Sequence, residues 1–257
     1  ALQQGGPGSP ESGQQLGWWA YGGLHREVKL ISTPLLTMPK AAINADDAGN
    51  LSIEMLFYNY GKQENSISLR VMLKDKDGKT LYKWAENTQI LPPKGLAGKV
   101  FETSISAPML WSPETSENIH TLEFELITQN ENNRIIQSFG FRSFEVNGTQ
   151  VFLNGNPVFL RGINRHEDYP DTGPITTKKN LEKDMKLLQE LNVNFLRPAH
   201  YPNNPILLDA CDKQGIMVCH ELPSYQLGGG ASSKALKQSS LRQNSAKQLL
   251  EMIERDR

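Results

Sequence analysis

The chain has 257 residues, a formal net charge of −1, 38% hydrophobic residues and 21% charged residues. That is the profile of an ordinary globular protein, with room for one large or two medium domains. The 27 basic and 28 acidic side chains show no basic stripe of the kind nucleic-acid binding needs. No apolar run approaches a membrane span and no signal peptide is legible. Because the first residue is Ala1 rather than Met, the compartment stays open among cytoplasm, periplasm and secretion.

Residues 1–16 are rich in Gly, Gln, Ser and Pro without apolar periodicity and read as a loop. Trp18-Trp19-Ala20-Tyr21-Gly22-Gly23 then forms an aromatic turn, followed by an alternating strand through Leu24, Arg26, Val28 and Leu30. Trp18 and Trp19 suit either a sandwich core or an exposed aromatic stacking platform.

Residues 33–145 form a second unit. The runs 51–57, 67–73 and 121–127 alternate with the period of half-buried strands. Turn signals fall at 47–50, 75–78 and 129–133. A length near one hundred residues with about seven short strands predicts an immunoglobulin-like sandwich, here without cysteines to bridge its sheets. Its expected role is to support the C-terminal β/α region rather than to bind.

Residues 146–157 carry two hairpin-turn dipeptides, Asn147-Gly148 and Asn154-Gly155. The expected hairpin would plug the bottom of a barrel. Asn147-Gly148-Thr149 also spells a glycosylation sequon, but the turn accounts for it without a glycan.

From Val158 onward three apolar runs (158–163, 193–196, 216–219) alternate with helical patterns at 181–191 and 205–214. Strand, helix, strand, helix, strand is the order of parallel β/α units. Thr176 or Thr177 can cap the first helix, and Asn203 ahead of Asn204-Pro205 the second. Each run ends in polar residues: Asn164-Arg165-His166-Glu167-Asp168, then Arg197 to Tyr201, then His220-Glu221. In a β/α barrel the carboxyl ends of the strands meet at one mouth, where chemistry is done. A loop over 226–233 and a last helix over 241–257, with apolar Leu249, Leu250 and Ile253, complete the chain. Cys211 and Cys219 read as two buried thiols rather than a disulfide, and no further soft ligands stand near them for a metal.

The run Arg161-Gly162-Ile163-Asn164-Arg165-His166-Glu167, the run Asn194-Phe195-Leu196-Arg197-Pro198-Ala199-His200-Tyr201-Pro202, and then Asp209, Asp212 and Gly215 resemble glycoside hydrolase family 2, the β-galactosidases and β-glucuronidases. Pro198 stands where that family more often has a small polar residue. The resemblance implies a multidomain β and α/β fold. Residues 1–32 would be the tail of a sugar-binding jelly-roll sandwich, 33–145 the immunoglobulin-like β-sandwich, and 146–257 the first part of a (β/α)8 TIM barrel, about three β/α units. Pro108 to Glu114 and Phe139 to Arg142 resemble phrases of the family's middle sandwich, and Trp18 to Leu30 the motif that closes its first.

The function so implied is a retaining exo-β-glycosidase acting on terminal β-linked sugars of the β-galactoside or β-glucuronide class, in carbohydrate catabolism. Such an enzyme needs two carboxyl groups roughly 5–5.5 Å apart, one an acid/base and one a nucleophile. The family's pair follows residues that Asp256-Arg257 begins to resemble, so no catalytic glutamate is expected within the chain. A barrel of eight strands cannot close on about three, so the 257 residues alone are expected to be inactive, with exposed strand edges. The role left to this chain is substrate binding. His166 and His200 match positions whose imidazoles bond sugar hydroxyls, and Arg197 one that holds the nucleophile's carboxylate, with Asn164 and Glu221 beside them. The plainer readings are a capped strand end for His166, a structural His200 and a simple salt bridge for Arg197. Glu221 could pair with Arg197 or His220, while Asn164, Arg165 and Glu167 could equally pack the barrel mouth.

Two departures bear on specificity. Gly17 stands where several relatives carry a substrate-touching aspartate, and Tyr225 and Leu227 stand where some β-galactosidases place magnesium ligands. Leucine cannot bind a hard cation, so no metal and no cofactor is expected. The expected partner is a carbohydrate, with neither nucleic acid nor membrane, and a homo-oligomer is compatible with the whole protein. The competing class is a non-catalytic module binding glycans or a partner.

Overall fold

A computed structural model describes residues 22–39, 41–128, 132–223 and 239–256. The chain divides into two compact units. One is built on residues 31–160, with 212–216 and 253–257, and the other on 161–211 and 217–252 with the beginning of the chain up to Leu30.

The first unit is a β-sandwich. One sheet centres on β3 (Asn50–Asn59), with β1 (Leu36–Thr37) and β2 (Ala41–Ala45) both paired along one of its edges. Strand β6 (Leu96–Ser104) pairs with the other edge of β3. The second sheet runs β5 (Thr80–Leu91), β4 (Asn65–Lys74), β7 (His120–Ile127), β8 (Asn132–Phe139), antiparallel throughout. Successive side chains on a strand point to opposite faces, and the sequence uses that alternation directly. Leu51, Ile53, Met55 and Phe57 of β3, with Ile67, Leu69, Val71 and Leu73 of β4 and Leu122, Phe124 and Leu126 of β7, join one buried core. Each such side chain stabilises the fold by about 1.5–3 kcal/mol when fully buried. Between them on β7, Glu123 takes Lys74 at 2.7 Å and Arg134 at 2.9 Å, and the Lys74 bond is the largest cause holding its carboxyl below the usual range.

Turn chemistry sets the register. Asp46 Oδ1 accepts from the Asn50 amide at 2.9 Å, and Gly49 sits at φ +89° in the same turn. A Cβ on Gly49 would stand 2.0 Å from the Ile105 carbonyl oxygen, so this turn requires glycine. A three-stranded sheet comes next: β9 (Phe144–Asn147), β10 (Gln150–Leu153) and β11 (Asn156–Pro157). Its first turn centres on Gly148-Thr149, because Asn147 pairs with Gln150, so the glycine rather than Asn147 takes the positive φ, +61°. In the second, Asn154 (φ +52°) and Gly155 (φ +71°) are the central pair, the type I′ pattern that matches strand twist. Asn154 is also held on both ends of its amide, accepting from the Ser143 amide and donating to the Trp111 carbonyl, each at 3.0 Å.

The second unit carries a parallel sheet, β12 (Gly162–Arg165), β13 (Phe195–Pro198) and β14 (Met217–Val218), in that spatial order. Helix α1 (Lys178–Glu190) connects the first two strands and α2 (Pro205–Gln214) the next two. A third helix, α3, spans Ser239–Asp256. Thr177 is the α1 cap, its hydroxyl accepting from the Asn180 amide at 3.1 Å, while Thr176 turns to Glu167. Asn204 rather than Asn203 caps α2, its Oδ1 accepting from the Ile206 amide.

Four expectations need correction. The first barrel strand runs 162–165, not 158–163: Phe159 is 79% exposed, and pairing with 195–198 sets the strand's bounds rather than apolarity. The second is displaced the same way, from 193–196 to 195–198. Residues 24–30 form no strand among the described residues; Leu24, Val28 and Leu30 are exposed, and alternation gives a strand only where a neighbour supplies a ladder. Cys211 is buried but Cys219 is exposed, lying beyond the short β14, and the two form no disulfide.

Candidate functional site

Parallel pairing places Gly162 opposite Phe195, Asn164 opposite Arg197 and Arg165 opposite Pro198. Alternation therefore puts Gly162, Asn164, Phe195 and Arg197 on one face of the sheet and Arg165 on the other. Gly162 makes room for its neighbour, since a Cβ there would lie 2.7 Å from the Phe195 ring.

On the Asn164–Arg197 face, charge gathers at the strand tips. The Arg197 guanidinium gives Nε to Glu221 Oε1 at 2.6 Å, Nη2 to the same oxygen at 2.5 Å, and Nη1 to Asn164 Oδ1 at 3.2 Å. Glu221 Oε2 lies 2.9 Å from His200 Nδ1, which also faces Arg197 Nη2 at 3.3 Å. A carboxylate only accepts, so the shorter contact assigns a proton to Nδ1 and, in that tautomer, the ring's lone pair to Nε2. The His166 ring meets the His200 ring edge-on at 5.1 Å between centroids. Burial, then the nearby His200 and Arg197, lowers the His166 pKa, which keeps the imidazole neutral at physiological pH. Asn164, His166, Arg197, His200 and Glu221 thus converge.

On the opposite face Arg165 is buried against α1. Its Nε donates to Asp184 Oδ2 at 2.9 Å and its Nη1 to Asn203 Oδ1 at 3.1 Å, and the Tyr169 hydroxyl bonds both Arg165 and Asp184. Asn203, fully buried, donates through Nδ2 to the carbonyls of Tyr201 and Pro198 and accepts from Arg165. Its backbone amide donates to His220 Nε2 at 2.8 Å. His220 is therefore an acceptor at that nitrogen, and Glu221 pairs with Arg197 and His200 instead.

Glu167, 4% exposed, accepts from the Asn204 amide at 2.6 Å, the Thr176 hydroxyl at 3.3 Å and Arg26 Nη2 at 3.0 Å. Its own amide donates to the Tyr201 hydroxyl at 3.2 Å, a phenol whose pKa burial raises. The sequence by itself assigns no role to Arg26, Tyr169, Asp184 or Tyr201. For Tyr201 the motif around His200 is an available signal, and for Arg26 the stretch Trp18 to Leu30 that resembles the close of the family's first sandwich.

Among the described residues no group of three or more His, Cys, Asp and Glu could hold a metal ion. No helix among them is long and apolar enough to cross a membrane. Gly17, Trp18, Trp19, Tyr225 and Leu227, on which the sugar platform and the metal departure turn, lie outside the described residues.

The family model described as "Glycosyl hydrolases family 2" matches residues 38–142, and "Glycosyl hydrolases family 2, TIM barrel domain" matches 144–256. The chain is similar to a β-galactosidase of Thermoanaerobacterium thermosulfurigenes, 28% identical over 96% of this chain and 34% of that protein. It is 30% identical to a putative β-glucuronidase of Formosa agariphila, over 84% of this chain and 26% of that protein. Among solved structures, apo β-glucuronidase 3 of Bacteroides uniformis superposes with a TM-score of 0.74 at 28% identity, over 93% of this chain and 29% of that one. The chain spans about a third or less of the length of these curated relatives.

Proposed function

The chain belongs to glycosyl hydrolases family 2, and from that premise we propose that the protein carrying it is a retaining exo-β-glycosidase for terminal β-galactosides or β-glucuronides. These 257 residues supply side chains that hold its substrate. The observation that carries the proposal is the Arg197–Glu221–His200 cluster, with Asn164 and His166, on the tips of successive parallel strands.

A pyranose presents a ring of hydroxyls, each able to donate and accept. In the Nδ1–H tautomer that the Glu221 contact assigns, His200 accepts a hydroxyl proton at Nε2, and neutral His166 offers a second imidazole beside it. Asn164 gives its carbonyl oxygen to Arg197, which turns its amide N–H groups to the remaining partners. Bonds of this kind speed the reaction when they shorten as the sugar ring flattens.

Glu167 and Glu221 do not suit the bond-breaking pair. Glu167 is buried and engaged by Arg26, Thr176 and the Asn204 amide, and Glu221 is engaged by Arg197 and His200. A general acid must hold a proton to give, and both Glu221 oxygens are already taken up as acceptors, Oε1 by Arg197 and Oε2 by His200. That supports the reading, implied by the family resemblance, in which the acid/base and the nucleophile come from elsewhere in the protein and the 257 residues by themselves give no turnover.

The test is a panel of chromogenic aryl β-glycosides on the full-length protein, with His200→Ala alongside. Hydrolysis of the β-galactoside or β-glucuronide, and a loss of two orders of magnitude or more in His200→Ala, is the expected result, a typical loss for an oriented bond to the transition state. Binding of a glycan without hydrolysis of any member of the panel would favour a non-catalytic module.

A further inference from the structure

We propose that Arg26 is a positioning residue that sets the spacing of the two imidazoles. This rests on the glycosidase reading of the same site. Arg26 lies in a segment whose neighbours Leu24, Val28 and Leu30 are exposed. Its Nη2 nonetheless reaches two places at once: Glu167 Oε2 at 3.0 Å and the Pro202 carbonyl at 2.6 Å.

Those two partners belong to different loops. Glu167 follows His166 directly, on the loop after β12, and Pro202 lies two residues past His200, on the loop after β13. One guanidinium nitrogen, with two hydrogens to give, therefore stitches the two histidine-bearing loops together. Glu167 completes the stitch from its own side. Its other oxygen accepts from the Asn204 amide at 2.6 Å, and its amide donates to the Tyr201 hydroxyl. Glu167 is 4% exposed, so its charge needs the Arg26 partner to stay buried. Removing Arg26 pulls the carboxylate toward solvent and lets go of Asn204 and Tyr201 together. The edge-on contact of His166 with His200 then loses its fixed spacing, and with it the pair of hydroxyls that the two rings hold. Arg26 itself faces Glu167 and Pro202, so it acts through these loops rather than on the sugar.

The test uses the full-length protein with Arg26→Met and Arg26→Lys. Arg26→Met is expected to lower kcat/KM on an aryl β-glycoside by about 10- to 100-fold, the scale of a roughly 1 Å misplacement. Millimolar guanidinium added to the buffer is expected to restore part of that loss, and Arg26→Lys, which keeps a cation able to bridge both acceptors, to retain most of the rate. A merely structural loss would not respond to guanidinium. Hydrogen exchange at the Asn204 amide, read on the same variants without substrate, is expected to quicken in Arg26→Met and not in Arg26→Lys. An unchanged kcat/KM, or a loss that guanidinium leaves untouched, overturns the proposal. If the unaltered protein hydrolyses no glycoside, the functional reading falls instead, and the exchange rate alone decides: faster at Asn204 supports the stitch and unchanged overturns it.

Discussion

Replacing Glu221 with glutamine keeps the shape of the side chain and removes its charge, so it isolates what the carboxylate does between Arg197 and His200. The first consequence is energetic. Glu221 makes charge-assisted bonds to Arg197 at 2.5 and 2.6 Å and to His200 at 2.9 Å, and hydrogen bonds to charged groups contribute about 1.5–3 kcal/mol when sheltered. The Arg197 and Glu221 side chains are 36% and 25% exposed, and exposed pairs contribute only about 0.2–1 kcal/mol. Between these limits lies a loss of about 1–2 kcal/mol, a factor of roughly 5–30. The second consequence is qualitative. In Glu221→Gln the amide N–H₂ can face His200 Nδ1, which then accepts, and the ring proton moves to Nε2. Nε2, the nitrogen proposed to face the sugar, changes from acceptor to donor. Nitrogen-15 shifts of His200 in the full-length protein report the tautomer, and kcat/KM on an aryl β-glycoside reports the rest. A switch of tautomer with a rate loss of that order is expected. The same tautomer in both proteins with unchanged kcat/KM would refute the role given to Glu221.

The packing of the sandwich sets three further outcomes. His120 is fully buried against Phe139 and Phe141, and burial lowers its pKa against a smaller opposing effect of Asp75. A histidine whose folded pKa lies below its unfolded value of about 6.5 weakens the fold only once it must charge, so its stability contribution is intact above about pH 6.5 and is lost as pH falls through the folded pKa. Urea unfolding at about pH 7.5 and about pH 5 should show a smaller acid-induced loss in His120→Gln than in the parent, and equal losses would exclude His120 as a source. Gly49→Ala, with φ +89° and a new Cβ 2.0 Å from the Ile105 oxygen, should cost more than about 1 kcal/mol in the same assay, and a neutral result would mean that the turn can rearrange. Leu122→Ala removes a wholly buried side chain from the centre of the sandwich core and should cost about 2–5 kcal/mol, whereas a change below about 1 kcal/mol would contradict that packing.

Legibility tracks the range of the interaction. The strands at 50–59, 65–74 and 120–127 are readable because a side chain's face repeats every second residue, and apolar alternation survives without knowledge of partners. The parallel strands are legible in kind but misplaced, since Val158-Phe159-Leu160 is apolar yet lacks the ladder that Gly162 to Arg165 finds on 195–198. The choice of Glu221 between Arg197 and His220 cannot be made in one dimension. It is made by the fold, which brings Glu221 Oε1 to Arg197 at 2.6 Å and Oε2 to His200 at 2.9 Å. Arg26 and Glu167 stand 141 residues apart, and nothing in the residues between them marks the pair. Asn203 reads as a cap by its place before Asn204-Pro205, whereas its burial makes it a partner for Arg165 and leaves the cap to Asn204. The names of the candidate site residues come from a motif, and their mutual arrangement comes from the fold.

The central claim is that strand tips carrying Asn164, His166, Arg197, His200 and Glu221 form one surface that holds a sugar. A crystal structure of the full-length protein with a bound β-galactoside- or β-glucuronide-derived inhibitor tests it most directly. The account predicts sugar hydroxyls within about 2.6–3.2 Å of His166 and of His200 Nε2. A sugar seated away from both imidazoles, with Arg197 and Glu221 still paired, would contradict it.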